Sequence, residues 1–256
     1  MLAEQRHRLI LDRLSEDGAV SIATLSAELS ISRETVRRDV QLLAGRGLLR
    51  KTHGGALPLA AVEPDVGLRF SLNPEGKRAI GRRAALEVPD GASVILDSGT
   101  TTRAIADALT ARHGLVVYTN DLEICRRLAR RNGNRVILLG GEIQAHEEAT
   151  IGWDAIETLS RYYADFAFVG AGGITAEGEL TDFGRDAAEL RSRMLGAARW
   201  AAVVADHSKF GRVTPARVAG FGRGRKLITD KAPPRALRAA LEARGVEILL
   251  PAKATD

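Results

Sequence analysis

Five stretches of this chain place small, hydroxylated or glycine residues where a strand should end. The first is Asp97-Ser98-Gly99-Thr100-Thr101-Thr102, directly before a helical stretch. Hydroxyls and unshielded backbone N–H groups at a helix N-terminus suit a phosphate. Thr119-Asn120-Asp121, Gly140-Gly141-Glu142, Gly170-Ala171-Gly172-Gly173 and Asp206-His207-Ser208-Lys209-Phe210-Gly211 follow. Any one of these also fits an ordinary strand-to-helix turn, where glycine and N-capping residues belong. Five at one sheet edge, with the cation of Lys209 among them, point to a phosphorylated small molecule. The candidate ligand-binding residues are Asp97, Ser98, Gly99, Thr100, Thr101, Thr102, Thr119, Asn120, Gly140, Gly141, Gly170, Gly172, Asp206 and Lys209. The chain has no G-x-x-x-x-G-K-[ST], and Gly170–Gly173 does not complete G-x-G-x-x-G, which disfavours ATP hydrolysis and a standard dinucleotide site.

A second kind of chemistry sits near the N-terminus. Between Ser32 and Lys51, six basic residues (Arg33, Arg37, Arg38, Arg46, Arg50, Lys51) face two acidic ones (Glu34, Asp39), a net +4 out of +5 for the whole chain. So concentrated a patch is either a solvated helix face or the footprint of a phosphate-backbone binder. Val36, Val40 and Leu43 lie on one side of the helix expected here, and Arg33, Arg37 and Gln41 on another, flanked by Glu34 and Arg38. Arginine matches guanine edges and phosphates, and glutamine matches adenine. The candidate DNA contacts are Ser21, Ser32, Arg33, Thr35, Arg37, Arg38, Gln41, Arg50, Lys51 and His53.

The elements that must position these residues can be read around them. A first helix over 2–15 carries Leu9, Ile10 and Leu14 as its apolar stripe. Ser21 and Ser32 read as N-caps of a second and a third helix, with Val20–Leu25 and Ile31–Val36 as hydrophobic staples. Two capped helices joined by a turn near residues 30–32 form a helix-turn-helix, and residues 48–55 form a basic, glycine-closed wing. Residues 57–74 contain three prolines and read as a linker. A helix over 76–88 follows, whose Lys77, Arg78, Arg82 and Arg83 read as a solvated face, with a place near an anionic ligand as the alternative. Strand-like runs at 93–97, 115–119, 135–139, 165–170, 200–205, 226–229 and 246–250 alternate mostly with helical stretches, including 103–112, 122–131, 153–162 and 187–198. This pattern predicts a parallel sheet covered on both faces, with ligands at the carboxyl ends of its strands. The expected domains are therefore 1–57, a winged helix-turn-helix; 58–75, a linker; and 76–256, an α/β effector-binding domain.

The 256-residue chain is 45% hydrophobic and 27% charged, an ordinary globular composition. A single cysteine, Cys125, excludes an intramolecular disulfide, and no Cys/His cluster has zinc spacing, so neither metal nor cofactor is expected. No apolar run reaches bilayer length and the first residues lack a secretory core, which predicts a cytoplasmic protein without membrane contact.

The chain resembles the DeoR family of bacterial transcriptional regulators. The N-terminal match is RHRLILDRLSEDGAVSIATLSAELSISRETVRRDVQLLAGRGLLRKTHGGA; the later matches are KRAIGRRA, LDSGTTT, YTND, LLGGE, FVGAGG, ADHSKFGR and LITD, in the family's order. The resemblance implies a homodimeric or homotetrameric repressor of a carbohydrate or polyol operon, bound to double-stranded operator DNA. It implies a sensor domain of ribose-5-phosphate-isomerase-like fold and release by a phosphorylated sugar or polyol, glycerol-3-phosphate among them. It also implies that Ser98 to Thr102 hold the phosphate, with Asp206 and Lys209 at the same pocket. The alternative is a sugar-phosphate isomerase-like enzyme with an appended helical domain. Those enzymes carry a D-G-A-D-E loop, whereas the comparable place here reads Val169-Gly170-Ala171-Gly172-Gly173 and supplies no base. Asp182, Asp186 and Glu189 lie downstream and read as structural or surface residues. An activator in place of a repressor also stays open.

Overall fold

Hydroxyl caps and apolar stripes set the N-terminal elements as the sequence predicts. In the computed structural model, which describes residues 3–17, 20–45, 48–52, 54–58, 66–144 and 147–252, the chain divides into two units, residues 1–64 and 65–256. The first contains α1 (Ala3–Asp17), β1 (Val20–Ser21), α2 (Ile22–Glu28), α3 (Arg33–Gly45), β2 (Leu49–Lys51) and β3 (Gly55–Pro58). Ser21 Oγ accepts the Thr24 N–H at 2.9 Å and Ser32 Oγ the Thr35 N–H at 3.1 Å, so each helix start is satisfied. Ile10, Leu14, Val20, Leu25, Val36, Val40 and Leu43 close one core, with Ile31 packed against it. Leu9, expected in the stripe, faces solvent instead. The wing has three strands in the order β1-β3-β2. Gly55 is needed in it, because a Cβ there would lie 1.9 Å from the Val20 carbonyl oxygen.

The second unit begins inside the stretch read as linker. Residues Val66–Ser71 form a helix, α4, and Asn73 caps α5 (Pro74–Ala85) from a left-handed conformation at φ 48°, its Oδ1 accepting the Gly76 N–H at 3.2 Å. The chain continues through β4 (Ser93–Leu96), α6 (Thr100–Leu109), β5 (Val116–Thr119), α7 (Leu122–Leu128), β6 (Arg135–Leu138), β7 (Glu142–Gln144), β8 (Ala149–Ile151), α8 (Trp153–Ser160) and β9 (Ala164–Val169). It ends with β10 (Gly173–Ile174), β11 (Leu180–Asp182), α9 (Arg185–Gly196), β12 (Ala198–Val204), β13 (Ala216–Val218), β14 (Lys226–Ile228), α10 (Arg235–Ala243) and β15 (Glu247–Leu249).

The seven runs read as strands form one sheet, in the order β15-β14-β12-β9-β4-β5-β6, with every pairing parallel. Alternate residues serve opposite faces. Val94 and Leu96 pack with Ile80 of α5, Ile105 of α6 and Ile124 of α7, while Ile95 packs with Leu159 of α8, Met194 of α9 and Leu241 of α10. From β4 the chain winds outward through β5 to β6, then returns to β9 on the other side of β4 and winds outward to β15. The order thus reverses between β4 and β9, and such a switch opens a crevice at the carboxyl ends of its two strands. An antiparallel trio (β10-β11-β13) and a hairpin (β7-β8) accompany the sheet. Their strands are two or three residues long, too short for a period-2 pattern to register.

Candidate functional site

On α3 the outward polar residues are Arg33, Glu34, Arg37, Arg38 and Gln41, with Leu42 exposed beside Gln41 and Ser32 exposed just before the helix. Glu34 sits 3.6 Å from Arg37 and 3.7 Å from Arg38. Lys51 of the wing donates to Gln41 Oε1 at 2.7 Å, which ties β2 to α3. Arg50, also exposed, lies beside Lys51 on β2. Thr35 is half-buried with its hydroxyl 2.9 Å from Ser32 Oγ, and Ser21 Oγ is engaged in capping α2. His53, and Arg46 of the basic window, lie outside the described residues.

One acidic residue of the window does not belong to this face. Asp39 is buried, accepting from Arg6 Nε at 2.8 Å and Nη2 at 3.0 Å, with His7 Nε2 at 2.9 Å. Burial pushes its carboxyl up, but the hydrogen bonds from Arg6 and His7 prevail and hold it below the usual carboxylate range. Among the described residues of the window, Arg33, Arg37, Arg38, Arg50 and Lys51 therefore face solvent against Glu34 alone.

At the crevice, Asp97 directly follows β4 and is buried. Its Oδ1 accepts the Ser98 N–H at 2.8 Å, and its Oδ2 accepts the Gly170 N–H at 2.8 Å and Arg191 Nε at 2.7 Å. This carboxylate bridges the ends of β4 and β9. Arg191, on α9, also pairs with Asp182, itself fully buried. Gly99 (φ 125°) starts α6, and the next three N–H groups have no partner within the helix. Thr102 Oγ1 donates back to the Gly99 carbonyl at 2.8 Å. Thr100 and Thr102 are buried, while Ser98, Gly99 and Thr101 are partly open.

Behind that loop stands a second buried group of charges. Asp121 caps α7 by accepting the Ile124 N–H at 2.9 Å, and its Oδ2 accepts the Gly99 N–H at 3.3 Å and Arg103 Nε at 2.8 Å. Burial pushes the Asp121 carboxyl upward against the pull of Arg103 and the two N–H groups. Arg103 is fully buried and also donates to Glu148 Oε2 at 2.8 Å and to the Glu147 carbonyl at 3.1 Å. Asn120 gives its Nδ2 to the Thr150 carbonyl at 3.0 Å and lies 3.4 Å from Ser98 Oγ. Its Oδ1 is buried without a hydrogen-bond partner among the described residues. The neighbouring Thr119 is buried, its hydroxyl accepting the Asp121 N–H at 3.1 Å.

Asp206 follows β12, the strand beside β9, and its Oδ1 accepts the Ser208 N–H at 3.0 Å in a short 3₁₀ turn that carries half-buried Lys209. His207 Nδ1 lies 2.7 Å from Asp230 Oδ2, which also accepts from Asn73 Nδ2 at 2.9 Å. Lys77 is buried, which corrects its reading as part of a solvated face. Desolvation pushes its ammonium below the usual lysine range, nearby Asp206 opposes this, and Nζ donates to the Arg69 carbonyl. Arg78 and Arg82 do face solvent, and Arg83 is half-buried against Glu87.

The structure thus gathers Asp97, Ser98, Gly99, Thr100, Thr101, Thr102, Asn120 and Gly170 around the β4–β9 reversal. Gly140 and Gly141 follow β6, two strands away from β4. A Cβ on Gly141 would sit 2.4 Å from the Ile151 carbonyl, so that glycine serves hairpin packing. Gly172 likewise abuts the backbone at Asp182, at 2.9 Å. The candidate set drawn from sequence omits Lys77, Arg103, Asp121 and Arg191, although Asp121 closes one of the five stretches and Lys77 is among the cations of α5. Arg103 directly follows the hydroxyl loop, which was a usable signal, whereas the partners of Lys77 and Arg191 are distant in sequence. Of the carboxylates downstream of β9, Asp182 is spent on Arg191, while Asp186 and Glu189 are exposed on α9.

Known proteins match both units. A family model described as the DeoR-like helix-turn-helix domain matches residues 6–60, and one described as the DeoR C terminal sensor domain matches residues 72–231. The glycerol-3-phosphate regulon repressor of Escherichia coli (strain K12) is 31% identical over 251 residues, covering 98% of this chain and 100% of that protein. The HTH-type transcriptional repressor GlcR of Bacillus subtilis (strain 168) is 33% identical over 253 residues, covering 98% and 97%. Among solved structures, ribose 5-phosphate isomerase A from Methanocaldococcus jannaschii overlaps 54% of this chain and 55% of its own, at 18% identity and a TM-score of 0.40.

Proposed function

Since the chain belongs to the DeoR family of transcriptional regulators, we propose that it is an operator-binding repressor relieved by a phosphorylated sugar or polyol at the β4–β9 crevice. Helix α3 enters the major groove with Arg33, Arg37 and Gln41 toward base edges. Arg38, Arg50, Lys51 and the N-terminus of α3 at Ser32 and Thr35 meet the backbone. His53 and Ser21 complete the set drawn from sequence. Two copies, as a dimer or within a tetramer, place two such helices on paired half-sites, and a reader of operator DNA works in the cytoplasm.

The observation that carries the sensor half is the reversal of strand order directly at Asp97–Thr102, with the N-terminus of α6 opening onto it. Backbone N–H groups of Thr100, Thr101 and Thr102 take the phosphate, and the hydroxyls of Ser98 and Thr101 surround it. Asn120 Oδ1 is an acceptor awaiting a donor, which suits a hydroxyl of a sugar or polyol. Asp206 and Lys209 with Gly170 line the β9–β12 side. Thr119, Gly140, Gly141 and Gly172 support the fold around the site. Against the isomerase alternative, Asp97, Asp121 and Asp182 are each engaged by a buried arginine, and Asp206 Oδ1 is engaged in capping its own 3₁₀ turn. The relatives are named as repressors, which favours repression over activation.

A mobility-shift assay on the DNA upstream of the protein's own gene, with and without a panel of sugar and polyol phosphates including glycerol 3-phosphate, tests this reading. Specific binding released by one compound is expected. Specific binding that no compound alters removes the sensor half, and the absence of specific binding removes the whole.

A further inference from the structure

The helix α4 (Val66–Ser71) is the first described element after residues 59–65, through which the chain passes from one unit to the other. Three groups of the second unit grip it. Lys77 Nζ donates to the Arg69 carbonyl, the buried Arg69 guanidinium pairs with buried Glu147, and the Phe70 ring lies 5.6 Å from the Arg103 guanidinium. The two arginine-centred contacts lead back to the anion loop through Arg103 and Asp121. Arg103 binds the Glu147 carbonyl and Glu148 on one side, and on the other Asp121, which accepts the Gly99 N–H. The third contact reaches the crevice through Lys77, which feels the charge of Asp206.

We infer that α4 is a strap latched onto these buried charges, and that an anion in the crevice unlatches it, so that occupancy is reported to the chain leading into the DNA-binding unit. This rests on the sensor reading above. The Arg69 carbonyl is a neutral acceptor, and a phosphate oxygen competes for the same ammonium with a full negative charge in place of a carbonyl dipole. A ligand seated on the α6 N-terminus also bears on Gly99, whose N–H is held by the carboxylate that orients Arg103. Both changes remove support from one short helix. Six residues form too short a helix to persist without such support.

The test is hydrogen exchange on the full chain, read at 66–71 and 98–102, with glycerol 3-phosphate and separately with inorganic phosphate, together with operator affinity of variants. Bound ligand should slow exchange at 98–102 and speed it at 66–71 by about tenfold, within the usual range of allosteric coupling. Arg69→Met should show the faster α4 exchange without ligand and bind operator about tenfold more weakly, with Arg69→Lys recovering most of the loss. Glu147→Gln attacks the same pair from the hairpin and should behave alike, which guards against one variant failing to fold. Protection at 98–102 with unchanged exchange at 66–71 overturns the latch and leaves the sensor site standing. If neither compound protects 98–102, the sensor reading falls. The latch is then decided by the variants: wild-type operator affinity and α4 exchange in folded Arg69→Met and Glu147→Gln overturn it, and joint loss supports it.

Discussion

On α3 the arginines stand in water: the Arg37 and Arg38 side chains are 58% and 80% exposed and share one glutamate at more than 3.5 Å. At the crevice the arginines are sealed: Arg103 and Arg191 are 1% and 8% exposed, with carboxylate partners at 2.8 and 2.7 Å. On the function proposed above, the difference follows from what each cation must do. A charge that meets DNA phosphate has to stay uncommitted and hydrated until it arrives, so the protein leaves it on a helix face and gains little stability from it. A charge that shapes a ligand site has to stay fixed, so it is buried, and burial demands a partner for each of its donors. Identical side chains therefore make opposite predictions for folding and for binding.

The largest effect tests the sealed side. Arg103→Met leaves Asp121 buried without its cation and frees the carbonyl of Glu147, which should cost about 3–5 kcal/mol of stability, as for removing one partner of a buried pair. Arg38→Met should change stability by no more than about 0.5 kcal/mol. Urea unfolding of the two variants reads the contrast directly, and equal midpoints would erase it. The contrast reverses for operator binding. Arg37→Ala should weaken specific binding by about 1–3 kcal/mol if the side chain reads a base edge. If it meets a phosphate, affinity should fall evenly across sequences and the salt slope should drop by about one. Unchanged affinity and slope would remove Arg37 from the interface.

Among the described residues of the first unit, Asp39 is a sealed charge, and it sharpens the comparison. Asp39 is held below the usual carboxylate range by Arg6 and His7, despite a burial that pushes it up. A carboxyl depressed on folding contributes stability that is present above its unfolded value, near 3.9, and is lost as pH falls through the lower folded value. Asp39→Asn should therefore destabilise α3 at pH 7 by about 1–2 kcal/mol, in the range of hydrogen bonds to charged groups. The gap from wild type should close below about pH 4. Native-state hydrogen exchange of α3 amides at pH 7 and in acid measures both terms; a gap that persists unchanged in acid means shape, not charge, is responsible.

What was legible in the sequence divides along the same line. The seven strands of the sheet declare themselves as short apolar runs. Both caps of the helix-turn-helix can be read from Ser21 and Ser32, because a cap is a local bond between residues three apart. The outward arginines of α3 are legible by helical periodicity alone. The buried network is not. Asp97 and Arg191 are 94 residues apart, and Arg69 and Glu147 are 78 apart, so no local pattern marks them. Lys77 misleads for a related reason: it sits among arginines that do face solvent, and only packing of α4 over it shows that it is inside. The helix α4 itself is six residues among prolines, shorter than a periodic signal needs.

The smallest effect concerns reactivity at the margin of the sealed network. Cys125 is half-buried, and burial together with the nearby Asp121 carboxylate pushes its thiol up to about 11. The thiolate is the reactive form, so at pH 8 only on the order of one molecule in a thousand presents it. Alkylation of the native protein should be slow at that pH and should rise roughly tenfold per pH unit toward 11. In denaturant the thiol regains a pKa near 8.5 and reacts at once. Rapid native labelling at pH 8 would mean that water and reagent reach the start of α7, and with it the carboxylate that holds Gly99 and Arg103. The sealed side of the comparison would then be open at the very residue on which its largest predicted effect depends.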